Sequence, residues 1–92
     1  MNYVEVFEGF SHFLETTYAD LDFQDEETRV LVKNKKGQIL LLNWHGVARE
    51  IWFSSPITGA HHFYLDQGKW KNTRTQELFD VQIKKEVNLF NE

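Results

Sequence analysis

The chain has no cysteine. That excludes a disulfide framework, a thiol nucleophile and thiolate ligation of zinc or an iron–sulfur cluster, so any metal must be held by oxygen or imidazole. Long apolar runs are missing as well: the longest reach about four residues, where a helix crossing a bilayer needs roughly 20. No signal-peptide pattern opens the sequence, and no internal repeat, low-complexity tract or linker interrupts it. Positive charge is in deficit, with 10 Lys and Arg against 14 Asp and Glu and a net charge of -4. This argues against nucleic acid as a partner and favours a cation or a basic protein surface. The expectation is a protein with no membrane role, bacterial and cytoplasmic, or from the mitochondrial matrix if it is a processed eukaryotic chain.

What is present is apolar and aromatic mass. Of 92 residues, 41% are hydrophobic and 15% aromatic, which suits one domain over residues 1–92. A domain of this size buries only about 60 to 65% of its unfolded surface. Its stability therefore has to come largely from packing eight Phe and three Trp.

Val6, Phe7, Phe10, Phe13, Leu14 and Thr17 recur at helical spacing and predict an amphipathic helix from Asn2 to about Tyr18. Glu5, Glu8, His12 and Glu15 fall within about 80° of arc on its other side. An ordinary solvated helix face would look the same. Ala19 to Gln24 then reads as a short extended segment with Leu21 and Phe23 alternating against acids, and Asp25, Glu26 and Glu27 follow. Thr28–Lys33, Gln38–Trp44, Ala48–Ser54, His61–Leu65 and Lys69–Lys71 read as further strands, with Gly37, Gly46, Gly59 and Gly68 in the connections. Such short links indicate an antiparallel meander.

Thr73 with Gln76 has the form of a capping box, opening a helix whose stripe is Phe79, Ile83, Val87 and Phe90. The fold class expected is α+β: a two-layer sandwich with the N- and C-terminal helices on one face of an antiparallel sheet, each helix having one apolar stripe to bury.

Period two then sorts the strands. Leu40, Leu42, Ile51, Phe53, Phe63 and Leu65 point inward; Asn43, Trp52, His62 and Tyr64 point to the uncovered face. An outward Trp beside Asn and His suits protein docking, because Trp is enriched among the residues that dominate interface energies. It also suits a ring lying flat over its neighbours and stiffening the sheet. His61 and His62 face opposite ways and cannot comfortably share one ion.

The segment Glu50 to Gly59, E-I-W-F-S-S-P-I-T-G, is similar to the Q-I-W-L-S-S-P-x-S-G segment of the frataxin family. Gly68-Lys69-Trp70 is similar to that family's G-K-W, and Glu77-Leu78 resembles its L-x-E-L-L helix. The order helix, sheet, helix agrees over the whole chain. Where the family reads Asn-Lys-Gln this chain has Asn43-Trp44-His45, and His62 stands where eukaryotic members carry Arg.

The resemblance implies a role in iron–sulfur cluster assembly, with ferrous or ferric iron bound weakly on an acidic ridge of the first helix and strand. The ridge here is Glu5, Glu8, Glu15, Asp20, Asp22 and Asp25. Residue chemistry adds His12, which can share an ion with Glu8 or Glu15, so the expected metal set is Glu8, His12, Glu15, Asp20, Asp22 and Asp25. The implied partners are a cysteine desulfurase and an iron–sulfur scaffold protein, met through Glu5, Glu26, Asn43, Trp52 and His62. The implied protein is an adaptor and iron chaperone with no catalytic residue, a monomer that can oligomerise with iron. The alternatives are a ferroxidase or iron-storage protein that oligomerises, and a metal-free acidic interaction domain.

Overall fold

A computed structural model describes residues 2–92. Helix α1 spans Tyr3–Thr17 and is opened by Asn2, whose side chain accepts from Glu5 N at 3.0 Å while Glu5 reaches back to the Asn2 N–H. This reciprocal cap satisfies two donors that a helix start leaves unpaired. Six strands follow: β1 Asp22–Glu26, β2 Arg29–Lys33, β3 Ile39–His45, β4 Glu50–Ser55, β5 Gly59–Asp66 and β6 Lys69–Asn72. They pair antiparallel in the order β1-β2-β3-β4-β5-β6, and helix α2, Phe79–Phe90, returns across them.

Both helices bury their apolar stripes on the same sheet face. Phe7, Phe10 and Leu14 of α1 and Phe79, Ile83, Val87 and Phe90 of α2 meet Val30, Val32, Leu40, Leu42, Ile51, Phe53 and Phe63. Each fully buried side chain of this size contributes about 1.5 to 3 kcal/mol of transfer free energy, which makes this single layer the main support of the fold. Trp44 and Trp70 belong to it as well: Tyr3 stacks on Trp44 at 4.3 Å, and Trp44 meets Trp70 edge-on at 6.2 Å. The architecture is the expected α+β sandwich.

Asn34 closes the end of the sandwich. Its side-chain oxygen accepts from the N–H groups of Lys36 and Gln38, and its nitrogen donates to Phe90 O at 2.9 Å. One buried amide thus holds the β2–β3 turn, where Gly37 supplies the positive φ, and satisfies a carbonyl at the end of α2.

Three details differ from expectation. The first strand starts at Asp22 rather than Ala19, because Leu21 N donates to Tyr18 O and closes a turn after α1. Thr73 and Gln76 do not cap a helix. Asn72 takes the local donors instead, its side-chain oxygen accepting from Arg74 N at 2.9 Å and Thr75 N at 3.3 Å. Gln76 turns left-handed at φ 66, Leu78 bridges to Lys71, and α2 begins at Phe79 with no side-chain cap. Glu77 and Leu78 therefore precede the helix. Leu65 has inward parity yet is 45% exposed, because it stands one residue from the end of β5. Period two fixes a direction and not the reach of the covering layer.

Candidate functional site

The acidic residues of the ridge are all exposed, as is His12. Helix α1 carries Glu5, Glu8, His12 and Glu15, and it is fastened to β1 by Ser11 Oγ donating to Asp25 Oδ2 at 2.8 Å. That bond holds α1 against β1. Three members already have protein partners: Glu5 serves the helix cap, Asp20 lies 3.8 Å from Lys35 Nζ, and Asp25 accepts from Ser11; Glu26 beside them pairs with Arg29 at 3.1 Å. Among the described residues, no three His, Asp or Glu side chains converge closely enough to enclose one ion. The ridge is therefore an open array of exposed ligands one and two at a time, with neighbours at i, i+3 and i, i+4 along α1.

The uncovered sheet face is more tightly organised. Arg29, Asn43, Trp52 and His62 are Cα partners in one row across β2, β3, β4 and β5. Asn43, Trp52 and His62 thus come together as expected. Trp52 is flanked by two rings: His62 at 4.2 Å between centroids and 9° from parallel, and His45 at 4.0 Å and 8°. The indole Nε1 donates to Glu50 Oε1 at 2.9 Å, and His62 Nδ1 lies 3.9 Å from the same oxygen. His45 and Glu50 were not among the expected partner-binding residues. The available signal was parity, since His45 lies two residues from Asn43 and Glu50 two from Trp52.

The Ser-Ser-Pro-Ile-Thr-Gly turn points the other way, toward α2. Glu86, 3% exposed, accepts from Ser55 Oγ through one oxygen and from Thr58 Oγ1 at 2.7 Å through the other. The Thr58 proton is thereby committed, so His61 Nε2, 2.9 Å from Thr58 Oγ1, carries the hydrogen of that contact. Burial pushes His61 below its ordinary value of 6.5; Arg74 and His62 push the same way, while Glu86 and Glu77 oppose. His61 packs edge-on against Phe53 at 5.1 Å, on the sheet face opposite His62.

Residues 3–90 match the profile of the Frataxin-like domain. Two curated relatives each bear the name iron-sulfur cluster assembly protein CyaY. The one from Variovorax paradoxus (strain S110) is 28% identical over 82 residues, covering 89% of this chain and 74% of the relative. The one from Paracidovorax citrulli (strain AAC00-1) is 26% identical over 81 residues, covering 88% and 73%. Among solved structures, a frataxin from Psychromonas ingrahamii superposes with a TM-score of 0.86 over 98% of this chain and 91% of its own. At 16% identity that likeness concerns the fold. With the profile spanning both helices and all six strands, this chain belongs to the frataxin family, on its bacterial, CyaY-like side.

Proposed function

We propose that this protein is an adaptor of iron–sulfur cluster assembly in the bacterial cytoplasm. It binds iron weakly on the α1–β1 ridge and docks on a cysteine desulfurase and its scaffold protein. The observation that carries the reading is the exposed acidic edge in a chain of this family: Glu8, Glu15 and Asp22 stand in solvent on two adjoining elements. Iron is cargo in this reading. Glu8 with His12, or His12 with Glu15, supplies two donors of types that iron accepts, and water completes the shell. So few protein donors give weak binding and fast exchange, which suits delivery.

The same carboxylates steer a basic partner. Like charges crowded along one edge repel each other, and a basic surface relieves that repulsion while speeding encounter. Trp52 and its neighbours then supply a second, less salt-dependent contact on the open sheet face. The test is affinity for the desulfurase, with and without scaffold, from about 50 to 300 mM salt, a range over which the Debye length shrinks from roughly 14 to 6 Å. A steep loss of affinity, concentrated in the association rate, is expected. Salt-independent binding, or none, overturns the proposal.

A further inference from the structure

Neither face of the Trp52 indole is free. β4 lies between β3 and β5, so His45 and His62 cover it from opposite flanks. Its one donor is engaged by Glu50. A partner approaching this face meets the edges of two imidazoles with the indole edge between them.

We infer that the His45–Trp52–His62 stack docks an anionic segment of a partner protein, one presenting carboxylate side chains, and that protons on the two imidazoles set how tightly. The inference rests on the reading that the Trp52 face meets a partner. Ala48 N donates to His45 Nδ1 at 3.2 Å, which leaves the hydrogen of the neutral ring on Nε2. With both rings neutral, Glu50 is the only charge within the stack. A proton on His62 pairs with Glu50, and a second on His45 leaves the stack net positive. Charging does not dismantle it, because a cation over an indole face is attracted by the ring quadrupole.

The surroundings favour the same sign. Three charged groups at the His45 end of the sheet make no ion pair among the described residues: Arg49 in the β3–β4 turn and Lys69 at the start of β6, against one acid, Glu27 in the β1–β2 turn. Lys71 is matched by Asp66 at 2.9 Å and Arg29 by Glu26. Tyr64, opposite Glu50, donates its hydroxyl to Gln76, and Arg74 donates to Ala60 O at 3.2 Å. His61 turns to the other face. The acid nearest the stack is therefore the one its protons neutralise, while the acidic ridge of α1 and β1 remains the surface for basic partners.

The test uses the full chain labelled with ¹⁵N and two peptides, tetraglutamate and tetralysine, followed by NMR at about pH 6 and pH 8, on either side of imidazole titration. At the lower pH tetraglutamate should shift the Trp52 indole N–H and the amides of His45 and His62. It should bind there about fivefold more tightly than at the higher pH, the order expected for a unit charge at close range in water. Tetralysine should shift α1 and β1 instead. His45→Gln/His62→Lys, with one permanent charge and no imidazole left in the stack, should bind tetraglutamate equally at both pH values, and a folded His45→Gln/His62→Gln double variant should lose the pH effect. An unmoved stack at the lower pH, or a pH effect that survives in the double variant, overturns the inference. Neither result bears on desulfurase binding, whose absence alongside a normal peptide response would overturn the proposed function and leave this inference standing.

Discussion

Trp52 and His62, Cα partners on β4 and β5, lie ring against ring at 4.2 Å and 9° on the sheet face that no helix covers. The pair belongs to a rigid aromatic unit whose removal should separate binding from folding. Replacing Trp52 with Leu strips a half-exposed ring, and aromatic pairs contribute about 0.5 to 1.5 kcal/mol each beyond buried area. Stability should drop by about 1 to 2 kcal/mol, leaving the fold intact. Affinity for the desulfurase–scaffold complex should fall by tenfold or more, as truncated Trp hot spots commonly do. Titration calorimetry beside urea unfolding reads both. Unchanged affinity would mean that the ring only stiffens the sheet.

Glu86 is the residue through which the β4–β5 turn holds α2. Glu86→Leu would leave the buried Ser55 hydroxyl without its acceptor, at a cost of about 1 to 3 kcal/mol, while the exposed Thr58 hydroxyl turns to water. Removing Ser55 as well should cost less than the sum of the single losses, because no orphan then remains at that end. A urea double-mutant cycle measures this, and strictly additive losses would show that the hydroxyls do not depend on the carboxylate.

His61 makes stability depend on pH. The folded state holds its pKa below 6.5 through burial, so on acidification the unfolded chain takes up the proton first. Its contribution is full above 6.5 and is lost as pH falls through the folded-state value. The urea midpoint should therefore decline on moving from about pH 7.5 to 5.5, and decline less in His61→Gln. Equal pH slopes in the two proteins would remove His61 as the cause.

The layers of the fold were legible because their signals are periodic. Phe7, Phe10 and Leu14, or Ile51 and Phe53, announce a buried face by spacing alone, and the structure buries them. Local motifs were less dependable. Thr73 and Gln76 have capping-box spacing, yet the neighbouring Asn72 side chain captured the backbone donors and postponed the helix to Phe79. The site was legible only in part. Trp52, Asn43 and His62 share a face by parity and register, but the second ring on Trp52 is diagonal: His45 pairs with Glu50, so its stacking depends on ring conformations that no spacing encodes. Glu86 was invisible for a related reason. A carboxylate in a helix reads as solvated until two hydroxyls from a distant turn are seen to reach it.

The most direct measurement of the central claim is an anaerobic titration of the ¹⁵N-labelled protein with ferrous iron, followed residue by residue by NMR. Signal broadening should be confined to Glu8, His12, Glu15, Asp20, Asp22, Asp25 and their chain neighbours, with His45, Trp52 and His62 unaffected. Broadening centred on the histidines of the sheet face, or at no residue, would contradict an iron-binding ridge and leave α1 and β1 as a docking surface alone.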